Sequence, residues 1–483
     1  MKRSSDFRSD SSVMPGGGSF SMERRRALSL MGTVLASTSL AAPAWGSAVG
    51  GSCGPVLATP DQLAAERALL ELLKNPELAK VQAELKAMLA ASRIGKTRDG
   101  AATIDRAIGQ WTNSLIFGEL GKHRKSPTFL WGTDDTPRSW FGHELGGVGT
   151  SGDNPDAIYR TASLDGSKSY EVTGRIDRDN PAAQLVIQAD RADKTQPASM
   201  MDMESRRPSI VSATLALMTD RDLALAPDGS FRITLGGKAD GPNHIDLKPG
   251  VVVLGMRDML SDWHQRPAEL AIRERGVAPL SDAEPEQLDL DAIARHTLAD
   301  LPDYVGFWSR FPEVWFGGLE PNSISAPRPR NKGWGYVAGL HFALQPGEAI
   351  LVTTGSEGAA YTGFQLCDPW MIAPDASLYQ VCLNLSQVAP NPDGSITYVI
   401  SPSDPGVANW LDTTGLAAGL CVIRWQGVPS GAKAEMLLQD FRVIQLADLE
   451  SMPGIPRVTP EQRRKQLARR AIGYTARTRA ARW

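Results

Sequence analysis

Cysteine is scarce in this chain: four in 483 residues, at Cys53, Cys367, Cys382 and Cys421, with no C-x-x-C pair among them. A locally encoded structural zinc site is therefore not expected. In an exported protein a disulfide from Cys367 to Cys382 or to Cys421 is permitted, with buried free thiols as the alternative. Histidine is also rare, at His123, His143, His244, His264, His296 and His341. His143-Glu144 is followed by no histidine before His244, so the H-E-x-x-H of a zincin is absent. No two histidines stand at ligand spacing, so no metal is expected from local motifs, and only ligands distant in sequence stay open.

Nucleotide and nucleophile motifs are missing too, apart from two that match by letter alone. Residues 50–54, GGSCG, fit G-x-S-x-G, but no strand precedes them as a nucleophile elbow requires. Residues 147–152 fit G-x-G-x-x-G, but Asp153-Asn154-Pro155 follows where a helix should start. No cofactor fingerprint is present, so the cofactor is left unassigned. Charge of one sign is lacking overall, with a formal net of −3, but the ends carry +3 over residues 1–48 and +7 over residues 461–483. The body between them is therefore at −13, which argues against a broad nucleic-acid surface. The basic tail over 451–483 reads as a solvated or frayed helix, or as a contact for anionic lipid or nucleic acid.

Long apolar runs are absent as well. The strongest, residues 27–44, is 18 residues rich in Ser, Thr, Gly and Ala, too weak for a comfortable membrane span. It follows Arg24-Arg25-Arg26 and ends in Ala42-Pro43-Ala44, an A-x-A cleavage pattern. This resembles a twin-arginine signal peptide, which places the mature protein in the periplasm or outside the cell, with no transmembrane span after cleavage. Residues 1–21 are polar and glycine-rich, so either Met1 or Met22 can be the start.

What is present is turn chemistry: 46 Gly and 33 Pro, with 42% hydrophobic residues, enough for a sizeable core built of many short strands. Residues 60–122 read as helices, with Asn75-Pro76 as a break. A β-rich lobe is expected over 126–278, a helical and aromatic connector over 288–330, and a β-sandwich over 331–450. Within the connector, 288–301 reads as helix and 304–316 as an aromatic cluster. Asp-Gly-Ser occurs at Asp165, Asp228 and Asp393, each time before an alternating run, and predicts three β-hairpins. The fold class expected is α+β, mostly β with helical segments, with an antiparallel sandwich or jelly-roll-like carboxy-terminal domain.

Candidate chemistry concentrates in residues 361–427. Asp404 and Asp412 read as an acid/base pair with Trp410 as a stacking platform, or as turn-forming carboxylates. Asp368, Trp370, Asn384 and Gln387 suit a hydroxylated or amide ligand, or a hydrogen-bonded loop scaffold. Asn409 stands beside Trp410. Arg424-Trp425 reads as an ion-pairing or anion-binding corner. A glycine-rich loop with Trp140, His143, Glu144, Asp153 and Asn154 is the candidate opposite wall, with His143-Glu144 as a metal or proton-transfer dyad.

The blocks GDNPDAIYR, MRDMLSDWHQRPAELAIRERG, FQLCDPW, LNLSQ, DGSITYVISPSDPGVANWLDT and IRWQG, spread over 126–427, resemble the Domain of Unknown Function 1214 family. The resemblance implies a bacterial, in some members exported, protein with a carboxy-terminal sandwich or jelly roll, and implies no activity. Three functional classes stay open. They are a hydrolase or lyase acting through Asp404, Asp412 and Asp368, a module binding a carbohydrate or small molecule, and a structural protein whose aromatics are core. Two carboxylates in one cleft would mark the first, exposed tryptophan faces the second, and fully buried Trp370, Trp410 and Trp425 the third. For the leader, changing Arg24 and Arg25 together to Lys should stop export; unchanged partitioning between cytoplasmic and exported fractions would refute the twin-arginine reading.

Overall fold

The computed structural model of the chain describes residues 57–192, 214–277, 286–330 and 334–478. The leader, both candidate starts, Cys53 and the G-x-S-x-G letters lie outside these residues. Helices α1 (Pro60–Leu72) and α2 (Pro76–Ala90) each begin with proline in the first turn, after a capping residue. The Thr59 hydroxyl accepts from Gln62 N and the Asn75 amide oxygen from Glu77 N. Proline at that position costs no hydrogen bond, so Asn75-Pro76 ends one helix and starts the next. Helix α3 (Arg98–Lys122) buries Ile104, Ile108, Trp111, Leu115 and Ile116 along one side, as its periodicity predicts.

The connector differs from expectation. It is one helix, α4 (Leu290–Phe316), running through Pro302 and Pro312 without ending. Each proline removes a backbone donor and ordinarily breaks a helix. Here tertiary packing prevails: Ile293, Leu301 and Val305 join the core of α1–α3, and along the helix the Trp308 ring meets Phe307 edge-on and Phe311 at a tilt, with centroids 5.0 and 5.1 Å apart.

Two sandwiches follow. In the first, a sheet ordered Leu130–Thr133, Ala157–Asp165, Val251–Met259, Gln184–Arg191, Thr214–Thr219 faces a sheet ordered Glu269–Glu274, Tyr170–Arg175, Ser230–Leu235, His244–Ile245. Alternate residues meet between them, Leu164, Ile187 and Leu254 from one side and Val172, Phe231 and Ile233 from the other. In the second, the sheet containing Gly335–Ala343, Ala418–Gln426, Tyr361–Cys367 and Cys382–Asn384 faces one ordered Trp410–Asp412, Ile396–Ser401, Glu348–Thr354, Leu438–Gln445. Leu340, Phe364, Ile423 and Trp425 pack there on Ile350, Val352, Tyr398 and Leu411. All strand pairs are antiparallel except Trp410–Asp412 on Ile396–Ser401 and His244–Ile245 on Ser230–Leu235. With 32% strand and 28% helix the fold is α+β. No helix among the described residues is long and apolar enough to cross a membrane.

The three Asp-Gly-Ser turns are real, but none closes a hairpin. Each aspartate accepts from the N–H and hydroxyl of the serine two residues on. In every case the strands before and after the turn lie in different sheets. The Asp–Ser bonds fix a local reversal and leave the pairing partner to the apolar faces, so the turn feeds a crossover between sheets.

The basic tail is corrected most. Helix α5 (Pro460–Thr478) is not solvated all round, because Arg463, Arg470 and Arg477, seven residues apart on one face, are 5%, 6% and 2% exposed. Arg463 grips Asp404 through Nε (2.9 Å) and Nη2 (3.2 Å). Arg470 donates to the carbonyls of Ala376 (2.6 Å) and Cys382 (2.7 Å) and lies over the Trp263 ring. Arg477 pairs with Asp134 (3.0 Å) and donates to Ala157 O (2.8 Å). The helix thus clasps the second sandwich at one end and the first at the other. Breaking a buried pair leaves an uncompensated charge, so Arg477→Met should cost about 3–5 kcal/mol in urea unfolding at neutral pH. Lys465→Met, removing an exposed pair with Glu461, should cost under about 1 kcal/mol. Equal losses would disprove the clasp.

Candidate functional site

The seam between the sandwiches is polar and centres on Asp156, 1% exposed. Its carboxylate accepts from Trp263 Nε1 (2.7 Å), Tyr361 Oη (2.9 Å) and Asn384 Nδ2 (3.0 Å), three donors from three distant segments. Burial pushes this carboxyl up, and the three donors oppose that by favouring the anion. Asn154 Nδ2 donates to the same tyrosine hydroxyl (2.8 Å). Gly363 admits the arrangement, since a Cβ there would sit 1.8 Å from Tyr361 Oη and 2.9 Å from Asp156 Oδ2.

Most residues of the expected site do architectural work. Trp370, Trp410 and Trp425 are buried, and their indole N–H groups donate to the carbonyls of Gly100, Ser401 and Gly355. None offers a face to a ligand, which removes the stacking-platform role. Each aspartate of the expected pair has partners of its own. Asp404 is committed to Arg463 and to Gly406 N, Asp412 accepts from Thr414 N, and Asp368 accepts from Trp370 N and Ile372 N. These are turn-forming roles, as Asp favours before Pro-Gly or a tight reversal. Asn384, Gln387 and Asn409 hold backbone or seam partners. Trp140 is core against Phe117, whereas His143 and Glu144 sit exposed on a two-stranded ribbon. The cysteines Cys367, Cys382 and Cys421 are buried free thiols, so no disulfide joins them.

The glycine-rich loop meets the second sandwich at Gly152 and Asp153. Gly152 O accepts from Arg424 Nη2 (2.6 Å), Asp153 O from Gln365 Nε2, and Gly152 N donates to Met371 O (2.7 Å). Arg424 also donates to Gln365 Oε1 (2.6 Å). It makes no salt bridge among the described residues, contrary to the structural ion pair considered for it.

Around Arg424 and Asp153 the seam gathers residues the motifs did not single out. Arg257 stands opposite Tyr159 in strand register, its guanidinium 5.8 Å from the Tyr159 ring centroid and 5.9 Å from that of Trp334. Arg330 stacks on Trp334 at 3.7 Å. Burial, together with the nearby guanidiniums of Arg424 and Arg257, pushes Arg330 down to about 9. Asp153 is the carboxylate beside Arg424 and Arg257; burial pushes it up, while Thr150 and these two arginines pull it down. The guanidiniums of Arg257 and Arg330 have no hydrogen-bond or ion-pair partner among the described residues and both residues are half-buried, as are Asp153 and Tyr159. A guanidinium carries five donors and loses solvation when half-buried, so these two present an unmatched demand for acceptors. The signal in the sequence was Arg257 on the half-exposed face of an alternating strand.

A second pair of carboxyls meets nearby across Gly149: Asp135 Oδ1 and Asp153 Oδ2 lie 2.6 and 2.8 Å from where its Cβ would be. Burial, then the charge of Asp153, pushes Asp135 well up, and its Oδ1 has no hydrogen-bond partner.

No family model matches the chain, and no curated protein matches it. Among solved structures, an uncharacterized protein from Burkholderia cenocepacia is similar, with a TM-score of 0.59 and 20% identity over 80% of this chain and 99% of that one. That likeness concerns the fold alone. The VPA0106 protein from Vibrio parahaemolyticus aligns over 73% of this chain and 97% of its own at 11% identity, with a TM-score of 0.35, too low to support an argument.

Asp368 offers a direct check on the structural reading of these carboxylates. Burial raises it from 3.8 to about 6, and its Oδ2 has no partner. The folded chain therefore binds more protons here than the unfolded chain between about pH 4 and 6. Stability from this group is greatest below pH 4 and falls as pH rises through 6. Asp368→Asn should flatten that slope and stabilise the protein by about 2–3 kcal/mol at pH 7. A loss of stability instead would mean the charged form is used, with Arg106 as its partner.

Proposed function

We propose that the seam around Arg257, Arg330 and Arg424 binds a small anion, a carboxylate- or phosphate-bearing molecule, and that the protein acts as a ligand-binding protein. The observation that carries this is the clustering of three guanidiniums, Arg424 and Arg257 beside Asp153 and Arg330 beside both of them, with the guanidiniums of Arg257 and Arg330 lacking a hydrogen-bond acceptor among the described residues. Charge-assisted, bidentate contacts to an anion would supply the missing acceptors, with the half-buried Tyr159 beside the ligand. The export reading of residues 22–48 and kinship with the Domain of Unknown Function 1214 family belong to the same proposal, as a solute-handling protein of the periplasm or exterior.

A second reading rests on Asp153. A half-buried carboxyl pushed upward beside an anion site is suited to proton transfer, which keeps a lyase or hydrolase open.

Titration calorimetry with inorganic phosphate and with oxalate tests the binding reading. The wild type should bind at least one of them with an affinity that falls as salt rises. Arg257→Met and Arg330→Met should each weaken it about tenfold or more, the size of a lost charge-assisted bond. Binding that is absent, or identical in both variants, would sink the proposal. Turnover of a substrate found by screening that disappears in Asp153→Asn, with binding retained, would move the assignment to the enzymatic reading.

A further inference from the structure

Far from the arginine cluster in sequence terms, the helical layer brings together three side chains with ligand chemistry. Glu119 and His123 are one turn apart near the end of α3, and His296 lies in the second turn of α4. His123 Nε2 is 3.0 Å from His296 Nδ1, and Glu119 Oε2 is 3.7 Å from the first and 3.8 Å from the second. All three ligand atoms lie within 4.8 Å of one another. Among the described residues no other group of three His, Cys, Asp or Glu side chains meets this closely.

The triangle has the dimensions of one face of a coordination tetrahedron. With bonds of about 2.0–2.2 Å to nitrogen and oxygen, adjacent donors in a tetrahedral zinc site stand roughly 3.3–3.6 Å apart. The carboxylate is already oriented: its other oxygen, Oε1, accepts from Lys122 Nζ at 2.6 Å. That leaves Oε2 directed at the histidines, the kind of supporting bond that fixes a metal-ligating carboxylate. Burial is graded across the cluster, with Glu119 at 2%, His123 at 20% and His296 at 59% side-chain exposure. A bound ion would be closed on the protein side and open toward solvent, so a fourth position is free for water.

We propose that Glu119, His123 and His296 form a divalent transition-metal site, with Zn²⁺ the ion that best suits two imidazoles and one carboxylate. Calcium and magnesium prefer all-oxygen shells and are not expected to compete. The site joins α3 to α4 across 173 residues of sequence, so binding also fastens the connector helix to the helical layer. The spacing Glu119-x-x-x-His123 was the local signal; a search for paired histidines passes over it.

The full-length protein, stripped with chelator, should bind one equivalent of Zn²⁺ by calorimetry at pH 7.5. With Co²⁺ it should develop visible d–d absorption of a four- or five-coordinate site. His296→Ala, an exposed position that should not disturb folding, and Glu119→Gln should each weaken Zn²⁺ binding by about 100-fold, as expected when a ligand is lost. Zn²⁺ should raise the midpoint of thermal unfolding in the wild type and not in His296→Ala. Zn²⁺ binding of equal strength in wild type and His296→Ala, with circular dichroism confirming that both are folded, would overturn the proposal and leave a hydrogen-bonded histidine pair.

Discussion

The carboxylate of Asp156 is the constraint on which the arrangement of the two sandwiches depends. An ionised carboxylate taken out of water must recover its solvation from the protein. It does so only if Trp263, Tyr361 and Asn384 arrive together. Those donors come from the loop after one sandwich strand and from two strands of the other sandwich, so the network forms in one docking geometry. Gly363 is the steric condition for it, and Arg470 over Trp263 covers its outer side. The seam is thus fixed by polar groups that must all be satisfied, which gives a sharper orientation than apolar contact alone.

Set against that network, the arginines divide into two kinds. Arg463, Arg470 and Arg477 each find carbonyl or carboxylate acceptors and become part of the scaffold. Arg160 does the same with Asp258 inside the first sandwich. Among the described residues the guanidiniums of Arg257 and Arg330 do not, although they lie close to Arg424 and to each other. A protein that matches its buried guanidiniums so consistently elsewhere leaves these two unmatched at one place, and that contrast supports a ligand there.

Much of the fold was legible in the sequence because its determinants are local. The break at Asn75-Pro76, the alternating run after Asp165 and the Asp-Gly-Ser turns at Asp165, Asp228 and Asp393 all act within a few residues. What local signals could not convey was partnership. An Asp-Gly-Ser turn reads the same whether the next strand pairs with the last one or crosses to the facing sheet. A helix with prolines at 302 and 312 reads as broken until the core of α1–α3 is present to hold it. The tail read as a solvated basic helix because its seven-residue arginine stripe is meaningful only beside Asp404, Cys382 and Asp134. For the site, the same argument applies in reverse. Asp404, Trp410 and Trp370 are reactive types crowded in sequence, whereas Arg257 and His296 gain meaning from neighbours more than 60 residues away.

The position of the arginine stripe in the chain bears on the order of assembly. Arg463, Arg470 and Arg477 fall within the final 21 residues of 483. During synthesis both sandwiches are complete before any of these side chains has emerged. The two lobes therefore exist for a time without their clasp, with Asp134, Asp404 and the carbonyls of Ala376 and Cys382 still open to water. A chain cut after residue 459 would keep every strand of both sandwiches and lose the element that ties one to the other.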